Sequence, residues 1–132
     1  MASFTSLMRK FPAWIFTGAV TLGILYLTLV PRPLPPMRLP LFPHFDKVAH
    51  ALMFGLMVLA MLFDYSRKGG TSIYRFAIIS VMVSVAFGAL IEILQSNMGL
   101  GRSGDWYDLL ADAGGALIFS AFAPLMGRWF KN

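Results

Sequence analysis

The chain has 132 residues, 58% of them hydrophobic and 13% charged, with a mean hydropathy of +0.70. A soluble domain carries about a quarter of its residues charged, so this composition excludes a water-solvated globule and points to lipid. The net charge of +5 does not indicate nucleic acid, because the basic residues cluster at the ends of apolar runs, as orientation signals in membrane proteins do.

In chain order, the first apolar run covers 11–30 without a single charge, about the length needed to cross a hydrocarbon core of roughly 30 Å. Arg9 and Lys10 precede it, but no small-residue cleavage site follows, so it reads as an uncleaved first span and not a signal peptide. Residues 31–45 hold six of the eight prolines. Proline fixes φ and lacks a donor, so this segment reads as extended, lying across the interface as a tether or as a cover over the helix ends. Three further runs follow at 47–63, 76–98 and 106–126, joined by short connections. The expectation is an all-α polytopic membrane protein, a single domain over 1–132 built as a four-transmembrane-helix bundle. Seven Lys and Arg (Arg9, Lys10, Arg67, Lys68, Arg75, Arg128, Lys131) fall on the side that the termini would share, against four on the other. That asymmetry places both termini in the cytoplasm.

Polar residues then fall into register. Asp46 and His50 lie four apart at the start of the second span, with Lys47 between them, and Glu92 and Gln95 lie three apart near the end of the third. Asp105, Asp108 and Asp112 form one stripe at the start of the fourth, and Arg102 sits in the loop before it. At about 1.5 Å per residue, His50, Glu92 and Asp112 fall roughly 6–9 Å outside the midplane. Carboxylates at that depth must face one another or a polar interior. Ser84 and Gly88 continue the stripe of Glu92, while Ala111, Gly114 and Gly115 accompany Asp112, the small residues that let helices approach closely in lipid.

Interhelical hydrogen bonding is the plain explanation for such residues, above all for Asp46, Lys47 and Asp105 near water. The charge count favours more. Five carboxylates face Lys47, Arg102 and at most one histidinium, so a bound cation, a protonated acid or water access must offset the excess. Glu92 is then the candidate general base or cation ligand and His50 its acid–base partner. Asp46, Lys47, Gln95, Arg102, Asp108 and Asp112 are candidate substrate-binding groups. One histidine among scattered carboxylates has no diagnostic metal spacing, so metal and cofactor stay open. The chain has no cysteine and no P-loop, Rossmann, zincin or nucleophile-elbow motif. A proton pathway needs polar residues through the whole span, and the inner halves read as apolar apart from Ser80 and Thr71 to Ser72.

Asp46-Lys47-x-x-His50, Glu92-x-x-Gln95, Arg102 and Asp108-x-x-x-Asp112-x-x-Gly115, in this order, resemble the VanZ-like membrane protein family from about Asp46 onward. That family often has asparagine where this chain has Asp112. The resemblance implies a link to resistance against the glycopeptide teicoplanin, a drug that acts on lipid-linked cell-wall precursor. Two functional classes follow. One binds or modifies an envelope lipid or lipid-linked precursor; the other is a non-enzymatic scaffold or accessory subunit that meets a protein partner of the cell envelope.

Overall fold

The computed structural model describes residues 3–30, 45–98 and 106–131, and these are helical with no strand among them. A short α1 (Phe4–Met8) precedes α2 (Ile15–Leu29), α3 (Phe45–Arg67), α4 (Ile73–Met98), α5 (Trp106–Ser120) and α6 (Ala123–Trp129). The proline-rich 31–45 segment expected at the interface lies outside the described residues except for Phe45, at the start of α3.

Two helices are long and apolar enough to cross a membrane, Lys47–Arg67 and Ile73–Asn97, and α5 with α6 makes a third if that bent pair is one span. The bend of 43° falls after Ser120. Pro124 accounts for it: proline has no N–H for the Ser120 carbonyl four residues back, and its ring crowds that oxygen. The expected continuous span over 106–126 is therefore broken. The first span also differs. Its helix starts at Ile15, and 15 residues rise only about 22 Å.

The late start of α2 and the long run of α3 share one cause. The apolar run of the second span stops at Phe63, but α3 continues to Arg67 because Asp64 and Arg67 neutralise each other inside the protein. Arg67 Nε donates to Asp64 Oδ1 at 2.8 Å. Its Nη1 donates to the carbonyls of Met8 and Phe11, both at 3.0 Å, and Nη2 donates to that of Pro12 at 2.5 Å. With those carbonyls taken, the chain between α1 and α2 is not helical. Trp14 then turns it with a φ of 61° and offers no cap of its own to α2. The cap comes from α3 instead: Asp64 Oδ2 accepts both the Thr17 N–H and the Thr17 hydroxyl at 2.8 Å. A carboxylate there satisfies an orphan donor and complements the positive end of the helix dipole. The expectation that the inner half is apolar thus fails at Asp64 and Arg67.

α3 is the central element, packed against α2, α4, α5 and α6. One core cluster joins Ile24 of α2 to Phe54, Met57 and Met61 of α3 and Ile91 of α4. A second joins Val58 and Leu62 of α3 to Ala77, Ala116 and Ala123. The outward faces carry Leu22, Leu52, Ile78, Met82, Leu90, Leu110, Leu117 and Ile118, all more than half exposed, as lipid-facing side chains are. The protein is a membrane protein, all-helical in its regular structure among the described residues.

The chain reversal after α3 needs glycine. Gly69 has a φ of 90°, its N–H donates to the Ser66 carbonyl, and the Gly70 N–H donates to that of Tyr65. These two bonds close a Schellman motif, with Gly69 at the left-handed position. The turn brings Lys68 to the Arg9 carbonyl at 3.0 Å, while Arg9 donates to the Phe130 carbonyl at 2.6 Å. The 64–75 connection and both ends of the described chain therefore meet at one end of the molecule.

Small residues set the helix spacing. A Cβ on Gly115 would collide with the Ala51 carbonyl, so α5 lies directly on the α3 backbone. Gly115→Ala is expected to destabilise the protein by about 1–3 kcal/mol, because a backbone carbonyl cannot step aside as a side chain can. Gly114, by contrast, has open space around its Cβ position and takes no part in this packing, against expectation. Gly114→Ala thus provides the matched control in a detergent thermal melt. An equal loss in both variants would refute the close approach.

Candidate functional site

The buried stripe of α4 runs Ala77, Ser80, Ser84, Gly88, Ile91, Glu92 and Gln95, and that of α5 runs Asp108, Asp112, Gly115 and Ala116. Both are helical periodicities of three and four residues, and both turn toward α3. Small side chains fill the middle of the α4 stripe, so its polar end comes close to α5. A Cβ on Gly88 would lie 2.7 Å from Asp112 Oδ2.

At that end α3, α4 and α5 assemble a polar cluster. Lys47 Nζ donates to Asp108 Oδ1 at 2.6 Å. Asp108 Oδ2 lies 3.5 Å from His50 Nε2, and His50 Nδ1 lies 2.8 Å from Asp112 Oδ1. Lysine, carboxylate, imidazole and carboxylate thus form one chain from the rim inward. Burial deepens along it: the Lys47 side chain is 23% exposed, His50 11% and Asp112 1%. His50 also stacks parallel on Phe54, with ring centroids 6.4 Å apart, which fixes the plane of the imidazole. Glu92, 1% exposed, completes the cluster from α4. Counted from the span midpoints, His50, Glu92 and Asp112 sit about 8–11 Å toward this end at 1.5 Å per residue, at or slightly beyond the depth read from sequence.

His50, Glu92 and Asp108 each offer a ligand atom, and these atoms all lie within 4.8 Å of one another. Such spacing suits an oxygen- and nitrogen-coordinated divalent cation. Lys47 competes for the same Asp108 carboxylate and gives the cluster a fixed cation of its own. The described part of the site holds three carboxylates against Lys47 and His50. Asp112 Oδ2 is buried with no hydrogen-bond partner among the described residues.

Of the residues singled out from sequence, Lys47, His50, Glu92, Asp108 and Asp112 come together. Gln95 stands beside them with another engagement: its Nε2 donates to the Thr28 carbonyl at 2.7 Å. That carbonyl is one of the last of α2, without a partner inside its own helix, so Gln95 fastens α2 to α4. The Asp46 side chain, Arg102 and Asp105 lie outside the described residues, as does His44. Phe130 is buried, with its ring centroid 5.1 Å from that of Phe63, and so stands apart from the interfacial aromatic belts of membrane proteins. Trp14, Trp106 and Trp129 are exposed near helix ends, where such belts form.

The Asp64–Arg67 layer at the opposite end escaped the sequence reading, which counted Arg67 among the orientation charges. Its signal is an acid and a base three apart where an apolar helix ends, a pairing that lets both be buried. The two polar layers differ in kind. Around Asp64 and Arg67 every charged atom has a protein partner, whereas the cluster around His50 carries an acidic excess.

Comparison with curated proteins gives no match, and comparison with solved structures gives none either. The family model described as VanZ/LLP1 matches residues 4–127, reaching well ahead of Asp46 to include α1 and α2. The chain is a membrane protein of the VanZ/LLP1 family.

Proposed function

We propose that the chain is a four-span protein of the bacterial inner membrane, with both termini cytoplasmic. Its polar cluster faces outward, where it binds or modifies an envelope lipid or lipid-linked cell-wall precursor and so alters glycopeptide susceptibility. The observation that carries this reading is the buried cluster of Lys47, His50, Glu92, Asp108 and Asp112, with more acid than base, shared by three helices and set about 8–11 Å from the span midpoints. Ionisable groups so placed are expensive, and their acidic excess calls for a cation or a polar ligand to offset it. Glu92 serves as general base or cation ligand, and His50 exchanges protons with it. Asp108 and Asp112 hold the cation or orient the substrate. Lys47 and Arg102 pair with its phosphate or carboxylate, and Asp46 and Gln95 are further candidate substrate-binding groups.

The second reading, a non-enzymatic scaffold, draws on the Gln95–Thr28 clip and the Gly115–Ala51 contact, which are packing devices. Glu92→Gln and His50→Ala separate the two when expressed in a teicoplanin-challenged host. On the lipid-site reading both variants accumulate to parental levels, and teicoplanin susceptibility matches that of cells without the protein. If Glu92→Gln leaves the phenotype intact, or the phenotype tracks protein level alone, the scaffold reading stands and the lipid site is lost.

A further inference from the structure

At the end opposite the His50 cluster, an open recess of about 960 Å³ lies between the turn after α3, the start of α4, and α6. Arg9, Arg75, Arg128 and Lys131 line it, and no acidic side chain does among the described residues. Among the described residues, Arg75, Arg128 and Lys131 make no ion pair there. Asp64, the acid of that end, is fully engaged by Arg67 and Thr17. A second observation points to a ligand. Ser66 is 3% exposed and lines the recess, and its hydroxyl has no hydrogen-bond partner among the described residues.

The remaining walls are mixed. Thr71 and Ser72 add hydroxyls at the turn, while Ile73, Pro124 and Phe130 add apolar surface. We propose that this recess binds the phosphate of an anionic phospholipid headgroup. Arginine presents a planar fork that matches phosphate oxygens, and a serine hydroxyl completes such a cradle. The apolar wall suits the glycerol and upper acyl chain of a lipid, and the helices bordering the recess expose apolar faces on which the chains continue. A free phosphate would use the same cations and leave that wall bare.

The test is native mass spectrometry of the full chain released from dodecyl maltoside, titrated with phosphatidylglycerol and, separately, with phosphatidylcholine. Phosphatidylglycerol is expected to be retained selectively, and Arg75→Gln with Arg128→Gln to weaken it about tenfold, as removal of two cations from an anionic headgroup predicts. Both arginines are exposed, so the double variant keeps its core; Lys131→Gln is the second variant on the same wall. Lys10→Gln removes a charge at the same end but outside the recess, and is expected to change nothing. Equal retention of the two lipids, or a loss in Lys10→Gln as large as in the double variant, overturns the site. Displacement of the lipid by millimolar inorganic phosphate overturns the lipid assignment in favour of a free phosphate.

Discussion

Arg67→Ala is expected to cost about 3–5 kcal/mol of stability, the range for breaking a buried ion pair by removing one partner. The reason is geometric. Both side chains of the pair are wholly buried, and the guanidinium also serves three carbonyls of the α1–α2 connection and sits 5.1 Å over the Phe16 ring. Alanine leaves Asp64 as an uncompensated charge, the carbonyls of Phe11 and Pro12 without this donor, and that of Met8 with only the long 3.4 Å bond from the Phe11 N–H. Arg67→Lys keeps the charge but not the fork that reaches four acceptors, so it recovers little. The measurement is a thermal melt in detergent paired with limited proteolysis. The midpoint should fall well beyond the roughly 4 °C that 1 kcal/mol produces, and new cleavage should appear within residues 9–14. A parental melt with no new cleavage would show that the N-terminal segment is held by something other than Arg67.

The fold was legible in the sequence to the extent that it follows from hydropathy and helical period. The ends of α4, the stripe joining Ser84, Gly88 and Glu92, and the stripe joining Asp108 and Asp112 all follow from spacing on one helix. What the sequence hides is cooperation between helices. Asp64 reads as the end of a span because its charge alone is unfavourable in lipid, and only the Arg67 partner with the N–H and hydroxyl of Thr17 reverses that. α2 is shorter than its apolar run because carbonyls far from Arg67 in sequence satisfy it. Gln95 and Glu92 look equivalent on one helix face, yet one clips α2 and the other joins the His50 cluster. Gly114 and Gly115 look equivalent too, and only the second meets the Ala51 carbonyl. In each case the decisive partner is remote in sequence.

Asp112 is where site chemistry and stability are most tightly joined, and two substitutions there should diverge. Asp112→Ala removes the group 2.8 Å from His50 Nδ1 and opens a void beneath Gly88, so a loss of about 3 kcal/mol is expected from the broken buried pair. Asp112→Asn keeps the shape and a carbonyl oxygen that can accept from the imidazole. It also removes one negative charge from a cluster with too many, so its stability should stay within about 1 kcal/mol of the parent. The family resemblance agrees, since asparagine is common at this position. A detergent melt reads the stability of both variants, and the teicoplanin challenge reads their function. If Asp112 only joins helices, Asp112→Asn behaves as the parent in both assays. If its charge holds a cation or orients a substrate, Asp112→Asn melts as the parent but shifts the challenge response toward that of Glu92→Gln. A collapse of Asp112→Asn as deep as that of Asp112→Ala would mean that the protein needs the negative charge itself to hold α3 against α5, and the lipid-site role of Asp112 would then have no support from this position.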